Sequence, residues 1–148
     1  MNILIVCTGN TCRSPMAEGL LKSMLKSKGV EGINVESAGI AAFPGMMASN
    51  QAVRVMKEFG VDLSGHRTRQ VDKKLLQGAD LILTMTEGHK TALQSWEPSV
   101  WSKIHTMKEY ADMEDKDISD PYGLHDEAYR KTASEIREAL EKILDKLI

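Results

Sequence analysis

The run Cys7-Thr8-Gly9-Asn10-Thr11-Cys12-Arg13-Ser14 sets a thiol and a guanidinium with five residues between them, Gly and Asn included. A thiolate attacks phosphorus, and a planar guanidinium fork grips two phosphoryl oxygens at once, which a lysine point charge cannot reproduce. Gly9 and Asn10 are residue types that tolerate left-handed backbone angles, so the amides from Thr8 to Ser14 can curl into an anion nest. A free thiol has a pKa of about 8.5, commonly lowered to roughly 3.5–7.5 at a helix N-terminus beside arginine, which predicts a depressed Cys7. In-line attack then gives a phosphocysteine, and Ser14 is placed to donate to the thiolate and stabilise it as a leaving group. The plain alternative is a small buried cysteine at a strand end and a solvent-facing arginine at a helix start.

What separates these readings is the elements around the loop. Asn2 to Val6 is a short apolar run of the kind expected for a strand buried on both faces. From Ser14 to about Lys28, Ala17, Leu20, Leu21, Met24 and Leu25 recur at helical spacing, and Gly29 closes the segment. The loop thus joins a strand's C-terminal end to a helix N-terminus, where unpaired N–H groups and the helix dipole favour a phosphate dianion. Further on, the pattern predicts a strand over Ile33–Ser37 broken at Gly39, a helix from about Ala48 to Phe59 and a polar turn region over Gly60–Gln70. It then predicts a short helix near Asp72–Gln77, a strand over Ala79–Met85, a fourth strand over Ser102–Met107, an acidic loop over Glu109–Asp120 and a helix over His125–Ile148. Such alternation implies an α/β fold with a parallel sheet covered on both faces and a ligand site at the strands' C-terminal ends.

A chain of 148 residues, 42% hydrophobic and 27% charged, has the size and balance of one folded domain spanning 1–148, expected to be cytoplasmic. A net charge of -2 gives no general footprint for nucleic acid or an anionic membrane, so any anion must be held locally. The apolar run Ile3–Val6 is neither a secretion signal nor a membrane span. Two cysteines, both in the first 12 residues, make neither a disulfide framework nor a structural zinc site.

Dephosphorylation also needs a proton for the leaving group and then a base for water, and one carboxyl can serve both in turn. Glu109, Asp112, Glu114, Asp115 and Asp117 read as a solvated face. Asp120 differs: it precedes Pro121, which restricts its backbone, and Tyr122 follows. A simple Asp-Pro turn is the alternative.

Cys7 to Ser14 with Pro15, Ala17 and Glu18 resembles the signature of the low-molecular-weight protein tyrosine phosphatase family. Ser37-Ala38-Gly39, Ser64 to Gln70, Asp80 to Met85 and Asp120-Pro121-Tyr122-Gly123 fall in the family's order across nearly the whole chain. The resemblance implies a three-layer sandwich, with a four-stranded parallel sheet and helices on both faces. It also implies a phosphatase needing no metal or cofactor, with Asp120 as the acid and a supporting network of Asn10, Ser14, Ser37 and His66. For His66, an exposed histidine in a polar turn is the alternative reading.

Thr11 stands where tyrosine phosphatases of the family typically carry Ile, and so resembles the bacterial protein arginine phosphatase branch. A hydroxyl in place of a longer apolar arm polarises the wall beside phosphorus and suits a slim guanidinium better than a phenol. Asp120 can bond guanidino N–H groups, and Tyr122 can flank the plane. Phosphoarginine on proteins is therefore the expected substrate, with a protein arginine kinase acting in opposition and a monomer expected. Phosphotyrosine is the alternative, and a neutral Thr11 substitution fits it. Arsenate reductases on this fold relay oxidation to downstream cysteines, and none follows Cys12. A cysteine-phosphorylated carrier and a passive phosphate-binding module are rivals from other classes. The resemblance further implies that Cys12 guards Cys7 by a reversible disulfide; a small buried loop filler is the alternative.

Overall fold

A computed structural model describes residues 1–148. Four strands, β1 (Asn2–Cys7), β2 (Asn34–Gly39), β3 (Leu81–Thr84) and β4 (Ile104–Thr106), form a parallel sheet in the order β2-β1-β3-β4. The helices are α1 (Arg13–Ser27), α2 (Asn50–Glu58), α3 (Lys73–Gly78), α4 (Glu87–Trp96), α5 (Met107–Tyr110) and α6 (Asp126–Leu147), with a 3-10 turn over Pro98–Lys103.

Side chains alternate across a strand, and β1 uses both faces for cores. Ile3, Ile5 and Cys7 join the larger core with Leu20 and Leu21 of α1, Val55 of α2 and Ile136, Leu140 and Ile143 of α6. Leu4 and Val6 point the other way, into a smaller core with Leu76 of α3, Ile82 of β3 and Leu93 of α4. The result is three layers, as the resemblance implies. Because β2 and β3 flank β1 on opposite sides, the strand order reverses beside β1, and a crevice opens at the C-terminal ends of β1 and β3.

Several boundaries differ from the periodicity. The second strand runs on to Gly39, paired with Cys7, because Gly39 allows a close approach that a side chain would block. A Cβ there would stand 2.4 Å from Thr8 O, and 3.0 and 3.1 Å from Ala42 Cβ and Asn10 N. The α4 helix has no counterpart in the sequence reading: Leu93 is its only buried aliphatic residue, too thin a stripe to show as periodicity. It is started by Thr86, whose hydroxyl accepts the His89 N–H at 3.2 Å. The segment expected as an acidic loop from Glu109 opens instead in α5, capped by Thr106. Its carboxylates are not a uniformly solvated face either, since Glu109 accepts from Lys90 Nζ at 2.8 Å and Asp117 accepts the Glu87 N–H at 2.8 Å. No helix is long and apolar enough to cross a membrane.

Candidate active site

A pocket of about 310 Å³ opens at that crevice, lined by Cys7, Thr8, Gly9, Thr11, Cys12, Arg13, Asp120 and Tyr122, with Ala41, Phe43 and Met46. A more voluminous open groove of about 750 Å³ wraps edge strand β2 past Glu18, Glu36, Arg69 and Lys74. That groove mixes both charge signs and holds no cysteine or histidine, whereas the smaller pocket sets a thiol beside a guanidinium and is the candidate site.

The loop Thr8–Cys12 is shaped from beneath by Asn10, which is fully buried and takes φ 59, a left-handed angle. Its Nδ2 donates to Ser14 Oγ at 2.8 Å and to Ser37 Oγ at 3.0 Å, and its Oδ1 accepts the Arg69 N–H at 2.9 Å. Ser37 Oγ in turn donates a hydrogen bond to Glu18 Oε1 at 2.6 Å. His66 Nε2 lies 2.8 Å from the Asn10 carbonyl, so His66 belongs to this network and is half-buried. The amides of Gly9, Thr11 and Cys12 donate to no protein atom and so are free for an anion.

Cys7 Sγ lies 2.9 Å from Ser14 Oγ and accepts the Asn10 N–H at 3.3 Å. Burial pushes this thiol up, and outweighs Ser14, the Asn10 N–H and Arg13, which all pull it down. The groups expected to lower Cys7 are thus all in place around it, at the floor of the pocket, and they act against its burial. Arg13 is almost wholly buried, with one nitrogen donating to the Ile118 carbonyl at 3.0 Å and another 3.5 Å from Asp120 Oδ2. Asp120 is 54% exposed, accepts the Tyr122 N–H at 3.1 Å, and faces Cys7 and Thr11 across the pocket. Cys12 is buried, with Sγ 3.2 Å from Tyr129 Oη and donating to Ser49 Oγ at 3.7 Å. Burial first, then Cys12, hold Tyr129 up at about 12, so its hydroxyl keeps its proton.

Of the residues expected at the site, Cys7, Thr8, Gly9, Thr11, Cys12, Arg13, Asp120 and Tyr122 line this pocket, while Ser14, Ser37 and His66 bond to Asn10 behind the loop. Sequence reasoning missed His89, on α4, whose Nε2 is 2.8 Å from Thr8 Oγ1. Burial, then Arg13, lower it to about 4, so the ring is neutral, and its buried Nδ1 has no partner. The exposed rim of Phe43, Met46 and Tyr122 was also only partly foreseen, through Tyr122. No periodicity marks either group.

A thiol, a guanidinium and a carboxyl converging on an anion nest at a strand-loop-helix switch point define a cysteine-dependent phosphatase site. The low molecular weight phosphotyrosine protein phosphatase family matches residues 2–148, and the chain belongs to that family. It is 40% identical over 145 residues to a protein-arginine-phosphatase of Geobacillus stearothermophilus, covering 98% of this chain and 95% of that one. It is 43% identical over 141 residues to a probable low molecular weight protein-tyrosine-phosphatase of Ralstonia nicotianae, covering 95% of this chain and 87% of that one. The crystal structure of a low molecular weight protein tyrosine phosphatase from T. tengcongensis superposes with a TM-score of 0.94 at 44% identity, covering 99% of both chains.

Proposed function

We propose that this chain is a protein arginine phosphatase, hydrolysing phosphoarginine on proteins through a phosphocysteine intermediate. The Cys7 thiol gives its proton to a phosphoryl oxygen of the bound dianion and its Sγ attacks phosphorus in line, forming the S–P bond as the P–N bond breaks. The electron pair leaves on the guanidino nitrogen, which takes a proton from the carboxyl of Asp120. Arg13 and the free amides of the loop hold the equatorial oxygens, where charge builds up. Asp120, now a carboxylate, takes a proton from water, which attacks phosphorus. The S–P bond breaks, and Ser14 and the Asn10 N–H receive the returning thiolate. Asn10, Ser37 and His66 keep the loop in shape throughout.

The observation carrying the choice of substrate is Thr11, whose side chain lines the pocket beside Cys7 and Asp120. Phosphotyrosine is the second reading, favoured by the exposed Phe43, Met46 and Tyr122 around the mouth, which suit an aromatic ring. The test compares kcat/KM on phosphoarginine and phosphotyrosine peptides for the parent and Thr11→Ile. A parent preference for phosphoarginine that Thr11→Ile moves toward phosphotyrosine supports the reading, and a parent preference for phosphotyrosine overturns it. Steady phosphate release, abolished in Cys7→Ser, separates turnover from a phosphoryl carrier or a passive binder.

The same reading assigns a regulatory role to Cys12. Peroxide oxidises Cys7 to a sulfenic acid, and the Cys12 thiol displaces water to form the disulfide, which an external thiol reduces. Inactivation that thiol reverses in the parent but not in Cys12→Ser is the expected result. A single-domain, monomeric enzyme of the cytoplasm, opposed by a protein arginine kinase, completes the proposal.

A further inference from the structure

The chain leading into Asp120 is held at each of the three residues before it. Asp117 Oδ1 accepts the first N–H of α4, from Glu87. Ile118 is buried; its N–H donates to the Met85 carbonyl at 2.8 Å and its carbonyl accepts from Arg13. Ser119 is held by α6 alone. Its hydroxyl donates to Glu135 Oε2, its N–H donates to Glu135 Oε1 at 3.5 Å, and Thr132 Oγ1 donates to its carbonyl at 3.3 Å. Behind Glu135 stands Lys108, whose Nζ donates to Oε1 at 3.0 Å and whose side chain is only 7% exposed.

Asp120 itself is half exposed and has only Arg13 and the Tyr122 N–H as partners. Its carboxyl takes its place from the backbone that precedes it, and the last residue of that backbone, Ser119, is bonded through both its N–H and its hydroxyl to a carboxylate on a distant helix. Lys108 needs a counter-ion to stay buried, and Asp115, at 4.0 Å, is 89% exposed, which leaves Glu135 as the principal partner. Charge pinned at one end and a hydroxyl at the other make Glu135 a rigid strut between α5, α6 and the loop.

We propose that Glu135, backed by Lys108 and acting through Ser119, is a positioning residue for the general acid Asp120. This rests on the reading of Asp120 as the acid. Proton transfer needs heavy atoms within about 2.6–3.2 Å, so a small displacement of this loop weakens proton delivery while leaving the phosphate cradle and Cys7 in place. If the strut only fastened α5 to α6, losing it would lower stability without changing which substrates suffer.

The test uses the full chain and two aryl phosphates. Phenol is a poor leaving group that needs the proton, whereas nitrophenol leaves readily without it. kcat/KM is measured on phenyl phosphate and p-nitrophenyl phosphate for the parent, Asp120→Asn, Ser119→Ala and Glu135→Gln, with Tm for each. Asp120→Asn is expected to lose about 100-fold or more on phenyl phosphate and far less on the nitrophenyl ester. Ser119→Ala and Glu135→Gln are expected to lose about tenfold on phenyl phosphate and about twofold or less on the nitrophenyl ester. Ser119→Ala leaves the Lys108–Glu135 pair intact, so it decides the question by itself if Glu135→Gln fails to fold. Equal losses on both esters, or no loss, in Ser119→Ala overturn the positioning role while Asp120→Asn still shows its selective defect. If Asp120→Asn shows none, the acid reading falls and the positioning role falls with it.

Discussion

The two loops that meet at the pocket are built on opposite plans. The loop from Thr8 to Cys12 rests on buried side chains, with Asn10 inaccessible and bonded on three sides, and Arg13 and Ser14 sealed beneath. The loop carrying Asp120 presents a half-exposed carboxyl, and the residues leading into it are fixed on α4, Met85, Arg13 and α6. The contrast follows from what each does. Holding a phosphoryl dianion demands donors already aimed and already dried, because aiming them during the reaction costs part of the barrier. A group that exchanges protons with a leaving group and then with water must touch solvent.

The widest separation between the plans is expected from Cys7→Ser. Turnover should fall about 10,000-fold or more, as removal of an enzyme nucleophile does. Inorganic phosphate should still bind, since the cradle does not depend on the sulfur; loss of phosphate binding, followed by calorimetry, would show that cradle and nucleophile are one unit. Asp120→Asn comes next, with kcat/KM falling by about 100- to 1,000-fold on a substrate with a basic leaving group and Tm nearly unchanged. A large Tm drop would mean that the carboxyl is part of the scaffold after all.

His89 joins the two loops, touching Thr8 on one side while its helix receives Asp117 on the other. Its folded value is about 4 against an ordinary 6.5, so the stability it confers is complete above the unfolded value and drains away as pH falls toward 4. The loss between pH 7 and pH 4 is at most about 3 kcal/mol, and urea unfolding of His89→Gln should lack that share of the slope. Parallel slopes in parent and variant would refute it. The smallest effect is set for Asn10→Ala, about 2 kcal/mol from the broken network and the left-handed angle together. Asn10→Gly should recover the backbone part only; full recovery would mean that the side-chain bonds contribute nothing.

Legibility in the sequence follows the same division. Cys7, Arg13 and the nest residues lie in eight consecutive positions, and a strand before and a helix after are read from simple periodicity. Asp120 stood out through its proline, yet nothing near it in the chain points to Glu135 or Lys108, which are contributed by separate helices. Ser37 and His66 came from family resemblance, and no local pattern shows that both converge on Asn10. The α4 helix escaped because most of its surface is solvated, and with it His89. The groups that lower Cys7 are visible in the sequence as charge and helix start, whereas the burial that opposes them is not.

Gly39, pressed against the Thr8 carbonyl with no room for a Cβ, bears on how such a site can diversify. The strand beside the nucleophile is at its minimum thickness, so any side chain there displaces the cradle, and the cradle's dimensions are frozen with it. Phe43, Met46 and Tyr122 are exposed, and Thr11 only half-buried, so these positions are free to change one residue at a time. A lineage descended from this chain can therefore change customers without retooling, trading one phosphorylated side chain for another over an unaltered floor.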